Sequence, residues 1–200
     1  MINVVVIEDN DTIREGLKLL INESEGFFCK DVYRNHEQLM KNIDKVAVNV
    51  LLMDIGIPSL QVIKAIKKIK TALPDLTILI LTLYEENDLL FEALCAGANG
   101  YIVKRTPPEK LFQAIQDAYC GGVPMSSELA RRVIGFFQNK KQNDSLNKQA
   151  LLTEWESEIL NKLVEGDSFK AISDSLSMDV KDIRNSFKNI YKKLHIHANI

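Results

Sequence analysis

Three carboxylates follow apolar runs in the first half of the sequence, where they could hold a cation or accept a phosphoryl group. Asp54 closes the run Val50–Met53, and Glu8 with Asp9 closes the run Asn3–Ile7. An ionised carboxylate is costly to bury unless something pairs with it. A hard divalent cation such as Mg²⁺ takes oxygen ligands and relieves repulsion between carboxylates. The sequence therefore predicts a cation site if these two runs end side by side.

Two further polar residues stand at the ends of later apolar runs. Thr82 ends one run, and Lys104 directly follows another. A carboxylate such as Asp54 can act as a nucleophile and form an aspartyl phosphate. Lys104 could then pair with one phosphoryl oxygen, and the hydroxyl of Thr82 could bind another. Each residue alone has an ordinary interpretation, since a single Asp after a strand is usually a turn residue, but the five together favour phosphoryl chemistry.

The elements that must position these residues alternate between two patterns. Short β-branched runs occur at Asn3–Ile7, Phe27–Val32, Val48–Met53, Thr77–Thr82 and Gly100–Val103. Amphipathic segments lie after them, at Asp11–Asn22, His36–Ile43, Leu60–Ala72, Glu86–Ala96 and Pro108–Tyr119. This alternation predicts an α/β fold with a doubly wound, five-stranded parallel sheet. Strand order 2-1-3-4-5 makes strands one and three neighbours and gathers the polar residues at the carboxyl edge.

The second half of the sequence is helical. After a short helix at Ser127–Phe137, the stretch "QNKKQNDSLNKQA" is polar and aperiodic, as in a linker. Three helices are then predicted: one opened by a Thr153/Glu156 capping box and running to about Glu165, then Phe169–Leu176 and Val180–Leu194. Their order is that of a helix-turn-helix. We therefore predict domains at residues 1–122 and 151–200, with a connecting helix and linker at 123–150.

The third helix of this half carries a segregated charge pattern. Residues 151–200 hold seven basic and eight acidic side chains, but five of the basic ones lie in this helix. The apolar stripe opposite them consists of Ile183, Phe187, Ile190 and Leu194. The pattern suits a recognition helix in the DNA major groove. The alternative is a solvated face of an ordinary amphipathic helix.

Several of these motifs resemble a known family. "VVVIEDN", "LLMDIGIP", "ILILT" and "GYIVKRTPPEKL" resemble the receiver domain of a two-component response regulator. "LTEWESEILNKLVEGDSFKAISDSLSMDVKDIRNSFKNIYKKL" resembles the LuxR-type helix-turn-helix. In this order the pair is similar to the NarL/FixJ type of transcriptional regulator, over nearly the whole chain.

The resemblance implies roles for individual residues of the first half. Asp54 would be the phosphoacceptor. Mg²⁺ would be bound by Glu8, Asp9, a carboxylate oxygen of Asp54 and the backbone carbonyl of Gly56. Thr82 and Lys104 would hold the phosphoryl group, and Thr82 would work with Tyr101 as a switch pair.

The resemblance also implies partners. The phosphoryl group would come from a sensor histidine kinase, and promoter DNA would be the target of a protein that is a homodimer when active. Arg184, Asn185 and Lys188 would face bases, while Lys181 and Lys192 would contact phosphates. Arg can pair with guanine and Asn with adenine. The protein would not be an enzyme, beyond slow loss of its own phosphoryl group.

The sequence departs from the family in three places. Receivers of this kind usually carry "PGMDG" after the acceptor, whereas this sequence has "PSLQV" at residues 58–62, without either glycine. Trp155 stands where the family usually has Arg. Its indole would lie either in the core, which we expect, or in an exposed interdomain contact. The family normally continues into a fourth helix that serves dimerisation, and we expect this helix to be missing because the sequence stops at "HIHANI".

Composition limits the remaining possibilities. The chain has 200 residues, 46% of them apolar, and a net charge of −2, so it lacks the overall basicity of a general polyanion binder. The absence of an 18-residue apolar run and of a signal pattern predicts a cytoplasmic protein without a membrane partner. Cys29, Cys95 and Cys120 are predicted to be free thiols. A receiver-type interaction module that controls a partner without reading DNA is the main alternative function.

Overall fold

The computed structural model describes residues 1–42, 47–55, 59–83, 88–121, 125–143 and 151–198. The chain divides into two compact units, Met1–Cys120 and Gly121–Ile200. Each unit has its own core and its own candidate site.

The first unit alternates five strands with five helices, as predicted. The strands are β1 (Ile2–Ile7), β2 (Phe27–Tyr33), β3 (Val50–Asp54), β4 (Thr77–Thr82) and β5 (Gly100–Val103). The helices are α1 (Asp11–Asn22), α2 (His36–Asn42), α3 (Ser59–Ala72), α4 (Asp88–Ala96) and α5 (Pro108–Tyr119). All strand pairs are parallel, and their order β2-β1-β3-β4-β5 confirms the predicted fold class.

The register of the sheet brings the polar strand ends to one edge. Ile7 lies opposite Met53, and Asp54 lies opposite Leu81. All five residues of β3 are buried, which is typical of a central parallel strand covered on both faces. Because β1 and β3 are neighbours, the residues after Ile7 meet Asp54 at this edge.

The second unit contains four helices within its described residues. They are α6 (Ser127–Asn143), α7 (Glu154–Glu165), α8 (Phe169–Leu176) and α9 (Val180–Ala198). The predicted capping box opens α7, with Thr153 and Glu156 each bonding the other's backbone N–H. The predicted apolar stripe of α9 is also confirmed, since Ile183, Phe187, Ile190 and Leu194 are fully buried.

Two helices of this unit are longer than predicted. Helix α6 continues past Phe137 to Asn143, and α9 continues past Leu194 to Ala198. Gln and Lys favour helices even without an apolar stripe, so a polar composition did not end α6 where the linker was expected. Helix α6 packs on α7, and the linker residues 144–150 lie outside the described residues.

The prediction for Trp155 is wrong. Its side chain is 56% exposed, whereas α7 buries Glu156, Ile159, Leu160 and Leu163. Trp155 precedes Glu156 by one residue, about 100° around the helix, and so points away from the buried side. None of the three cysteines forms a disulfide, as predicted. No helix in the described part of the chain is long and apolar enough to cross a membrane.

Candidate functional site

The carboxylates of Glu8, Asp9 and Asp54 form a cluster at the carboxyl edge of the sheet. One oxygen of each lies within 4.8 Å of the others. Glu8 and Asp54 are 1% and 3% exposed, whereas Asp9 is exposed. The oxygens of Glu8 and Asp54 are thus shielded from solvent, and Asp9 is accessible from solvent. Carboxylate oxygens are the ligands that a hard divalent cation prefers. We refer to the three carboxylates as the acidic cluster.

Lys104 lies against two members of the acidic cluster. Its Nζ is 2.7 Å from Oε2 of Glu8 and 3.0 Å from Oδ2 of Asp54. Burial lowers the pKa of Lys104, but its hydrogen bonds to Glu8 and Asp54 outweigh burial and hold this pKa above its usual value. Burial raises the pKa of Glu8, and the charge of Asp54 raises it further. One ammonium therefore leaves the three carboxylates with surplus negative charge.

The loop between β1 and α1 presents Glu8 and Asp9. The backbone N–H of Glu8 bonds the carbonyl of Tyr33 at 3.1 Å, and the backbone N–H of Asn10 bonds Oε1 of Glu8 at 3.2 Å. Asn10 also caps α1 by accepting the backbone N–H of Ile13 at 3.1 Å. The loop is thus held at both of its ends, and the buried carboxylate has a defined direction.

Thr82 lies at the same edge of the sheet. It ends β4, the strand next to β3, and is 2% exposed. The backbone N–H of Lys104 bonds the carbonyl of Thr82 at 2.7 Å, which ties these two positions together. Tyr101 is half-buried on β5 opposite Ile80, so its role with Thr82 stays a prediction. Gly56, the remaining predicted metal ligand, lies outside the described residues.

The predicted DNA-binding residues share the outer side of α9. Lys181, Asn185, Lys188 and Lys192 are exposed, and Arg184 is half-buried. All five lie away from the buried stripe of the helix. The turn before α9 is tight: Ser177 ends α8 in the left-handed region at φ 51°, and Asp179 accepts the backbone N–H of Lys181 at 2.7 Å. Helix α9 thus projects its basic side into solvent.

Two interactions escaped prediction from the sequence. Lys193, counted there with the basic residues of α9, is paired with the buried Glu156 at 2.6 Å. Because Lys193 lies about 100° around the helix from Leu194, it borders the apolar stripe rather than the basic side, and this position was the available signal. Arg14 donates to the backbone carbonyl of Glu8 at 3.0 Å, and no local pattern distinguishes it from a solvated arginine on α1.

Comparison with known proteins matches a different family to part of each unit. The family described as "Response regulator receiver domain" matches residues 4–116, and that described as "Bacterial regulatory proteins, luxR family" matches residues 150–199. Transcriptional regulatory protein YdfI of Bacillus subtilis (strain 168) is 32% identical over 196 residues, covering 97% of this chain and 90% of that protein. Response regulator UvrY of Escherichia coli (strain K12) is 27% identical over 201 residues, covering 100% and 91%.

Solved structures share the fold over nearly the whole chain. The response regulator ChrA of a heme-sensing two-component system is 25% identical, with a TM-score of 0.53 over 98% of this chain and 94% of that one. The response regulator RcsB in complex with DNA is 23% identical, with a TM-score of 0.58 over 97% and 92%. From these matches, the chain belongs to the NarL/FixJ-type two-component response regulators, in which a receiver domain precedes a LuxR-type helix-turn-helix domain.

Proposed function

We propose that Asp54 accepts a phosphoryl group from a sensor histidine kinase and that this event controls DNA binding by α9. The observation that carries the proposal is the acidic cluster, with its oxygens within 4.8 Å of one another and Lys104 at 3.0 Å from Asp54. The family supports the same assignment, because receiver domains precede DNA-binding domains in its members. The protein would act on no substrate other than its own aspartyl phosphate.

The chemistry follows from the residues around Asp54. A carboxylate oxygen of Asp54 attacks phosphorus, and the bond from phosphorus to the donor's imidazole nitrogen breaks. The electron pair leaves with the imidazole, which then takes a proton from solvent. Lys104 pairs with a phosphoryl oxygen, and the hydroxyl of Thr82 donates to another. Mg²⁺ held by Glu8, Asp9 and Asp54 would offset the charge of the phosphoryl oxygens.

Phosphoryl labelling tests the acceptor. The full chain is incubated with Mg²⁺ and acetyl phosphate, and the gain in mass is measured by intact mass spectrometry. We expect labelling of the wild type and none of Asp54→Asn, which lacks the nucleophilic carboxylate. Asp75→Asn is the matched control, because Asp75 is an exposed aspartate of the same unit that precedes β4. Labelling of Asp54→Asn at the wild-type rate would reject the assignment.

For the second unit, we propose that α9 enters the major groove of promoter DNA. Arg184, Asn185 and Lys188 would face base edges, and Lys181 and Lys192 would contact phosphates. The support is the solvent-facing basic side of α9 and the match of residues 150–199 to LuxR-type regulators. Cations that neutralise phosphates make affinity depend steeply on salt.

Binding to a duplex fragment from upstream of the protein's own coding sequence tests this interface. We expect salt-dependent binding that is lost when Arg184→Ala is combined with Lys188→Ala. The control combines Lys67→Ala with Lys68→Ala, which removes two exposed lysines of α3 and the same charge. Equal losses in both double variants would mean that only net charge matters. Binding that never exceeds that of an unrelated duplex would favour the interaction-module function.

We further propose that phosphorylation shifts the protein toward a homodimer, with Thr82 and Tyr101 as the switch pair. A ligand can shift such an equilibrium only by binding one state more tightly. Size-exclusion chromatography with light scattering, with and without beryllofluoride and Mg²⁺, measures the shift. We expect the molar mass to rise in the wild type and to stay unchanged in Asp54→Asn. An unchanged mass in the wild type would reject dimer switching without affecting the acceptor assignment.

A further inference from the structure

Arg14 turns its side chain back onto the loop that carries Glu8 and Asp9. Its Nη1 donates to the carbonyl oxygen of Glu8 at 3.0 Å and lies 3.5 Å from that of Asp9. The side chain is 14% exposed, so it lies against the loop rather than in solvent. These contacts are to the main chain of the two residues, so they occupy none of the carboxylate oxygens of the acidic cluster.

Asp11 aims the guanidinium of Arg14. Its Oδ1 is 2.6 Å from Nη2 of Arg14, and both of its oxygens accept from Nη2 of Arg34, at 2.9 and 3.0 Å. The hydrogen bonds from Arg34 and then Arg14 hold the pKa of Asp11 below its usual value. Arg34 directly follows β2, so a chain of contacts joins the end of β2 to the loop after β1.

We infer that Arg14 is a positioning residue for the acidic cluster, an assignment that rests on the proposed function. By binding the carbonyls of Glu8 and Asp9, it fixes the peptide planes that set the directions of both carboxylates. Glu8 is held in addition by Lys104 and by the backbone of Asn10. Asp9 is exposed, so its direction depends more strongly on the backbone that Arg14 holds.

Only an arginine can make this set of contacts. The planar guanidinium presents several donors in a fixed fork, which here reaches a carboxylate on one arm and main-chain carbonyls on the other. A lysine in this place keeps the charge, but its three donors all extend from one nitrogen and lack the fixed fork of the guanidinium. A comparison of Arg14→Gln with Arg14→Lys therefore separates the effect of losing the charge from the effect of losing the geometry of these contacts.

Isothermal titration of Mg²⁺ into the full chain tests the inference. Loss of an outer-shell contact typically weakens metal binding about 10- to 100-fold, and we expect about tenfold for Arg14→Gln. Arg14→Lys should recover little of this loss. Arg34→Gln is the matched control, because it removes the same charge from the same network without touching the two carbonyls. We expect it to weaken binding by less than about threefold, as for an exposed ion pair.

A second measurement, made without Mg²⁺, reports directly on the backbone of the loop that Arg14 contacts. The backbone amide resonances of Asp9 and Asn10 should shift in Arg14→Gln, because each amide follows a carbonyl that has lost its donor. Labelling by acetyl phosphate should then be slower than wild type at low Mg²⁺ and close to wild type at saturating Mg²⁺. A purely structural defect would lower the rate at both concentrations.

The inference is overturned by a wild-type Mg²⁺ affinity in Arg14→Gln, by full recovery in Arg14→Lys, or by an equal loss in Arg34→Gln. If Arg14→Gln does not fold, Asp11→Asn replaces it, and unchanged affinity in that folded variant also overturns the inference. A wild type that binds no Mg²⁺ overturns both proposals. A wild type that binds Mg²⁺ but is not labelled rejects only the acceptor role of Asp54.

Discussion

Each unit of the chain buries a lysine against a carboxylate, and the two arrangements differ in how their charges balance. In the first unit, Lys104 contacts Glu8 at 2.7 Å and Asp54 at 3.0 Å, with Asp9 beside them. In the second unit, Lys193 contacts Glu156 at 2.6 Å and donates to the carbonyl of Leu151 at 2.9 Å. The first group has surplus negative charge, and the second is balanced.

The balance separates a binding site from a structural contact. Glu156 also accepts the backbone N–H of Thr153, so its oxygen joins the start of α7 to α9 and has no surplus for a ligand. In the acidic cluster, by contrast, burial raises the pKa of Glu8, the charge of Asp54 raises it further, and the hydrogen bond from Lys104 offsets this only in part. A cluster of carboxylates that has surplus negative charge and is open to solvent therefore binds a cation favourably.

Lys70 provides a third case, because its hydrogen-bond partners are backbone carbonyls and not carboxylates. Lys70 Nζ donates to the carbonyls of Pro74 at 3.2 Å and Leu76 at 2.7 Å. Burial lowers the pKa of Lys70 to about 8, and the charge of Asp75 opposes this only in part. The pKa of Lys104, which has two carboxylate partners, is raised instead. Carboxylate partners thus decide whether the pKa of a lysine that is removed from solvent falls or rises.

The largest effect is expected from Lys193→Met. Removing one partner of a buried pair leaves the other charge unpaired and typically costs about 3 to 5 kcal/mol. Urea unfolding followed by the fluorescence of Trp155, the single tryptophan of the chain, reports on this unit. Lys192→Met, at an exposed neighbouring position of α9, should cost less than about 0.5 kcal/mol. Equal costs in the two variants would contradict the structural role of the pair.

A pH-dependent effect is expected from Lys70. Its pKa is about 8 in the folded protein and 10.5 in the unfolded chain. Between these values the unfolded chain binds more protons at Lys70, so Lys70 adds to the free energy of unfolding as pH rises, by at most about 3 kcal/mol. Cys29 and Tyr33, whose pKa values burial raises, act in the opposite direction. The contribution of Lys70 should be missing from Lys70→Met and retained in Lys67→Met, an exposed lysine of the same helix. Urea unfolding at several pH values measures it, and parallel curves for wild type and Lys70→Met would refute it.

A smaller effect, of opposite sign, is expected from Asp54→Asn in EDTA. Removing one carboxylate from a crowded cluster relieves repulsion, and we expect the free energy of unfolding of the first unit to rise by about 1 kcal/mol. Glu156→Gln should instead destabilise the second unit, because its pair with Lys193 is balanced. Urea unfolding followed by circular dichroism tests both variants. If Asp54→Asn destabilised the first unit without metal, the acidic cluster would not have the surplus negative charge that distinguishes it from the Lys193–Glu156 pair.

The smallest effect is expected from an exposed ion pair whose N–O distance equals that of the Lys193–Glu156 pair. Arg131 and Glu128 are also 2.6 Å apart, but their side chains are 59% and 55% exposed. Exposed pairs contribute about 0.2 to 1 kcal/mol at most, so Arg131→Gln should change stability by less than about 0.5 kcal/mol. The same unfolding experiment applies. If Arg131→Gln lowered the free energy of unfolding as much as Lys193→Met, burial would not decide how much these ion pairs contribute to stability.

The prediction of the fold and of the acidic cluster succeeded for one physical reason. Parallel strands place all their carboxyl ends at one edge, so the residues after β1 and β3 had to meet once the alternation of strands and helices was recognised. The apolar stripe of α9 was predictable in the same way, from the period of the helix. In both cases a local pattern carries the information about position.

Other features could not be predicted, because they depend on contacts between distant residues. The exposure of Trp155 and the pairing of Lys193 with Glu156 are set by which surfaces pack together. Composition ranks a tryptophan as core and a lysine as solvated, but each side chain follows the direction that its helix position imposes. The contacts of Arg14 belong to this group as well.

The sequence by itself determined the order of elements, the identity of the charged residues and the edge of the sheet at which the first unit collects them. Only the tertiary structure decided that Lys104 contacts both Glu8 and Asp54, and that Arg14 holds the loop between β1 and α1. The reason is that secondary structure follows from periodic local patterns, whereas contacts between charged groups depend on distances of a few ångströms. Those distances are set when the whole core packs.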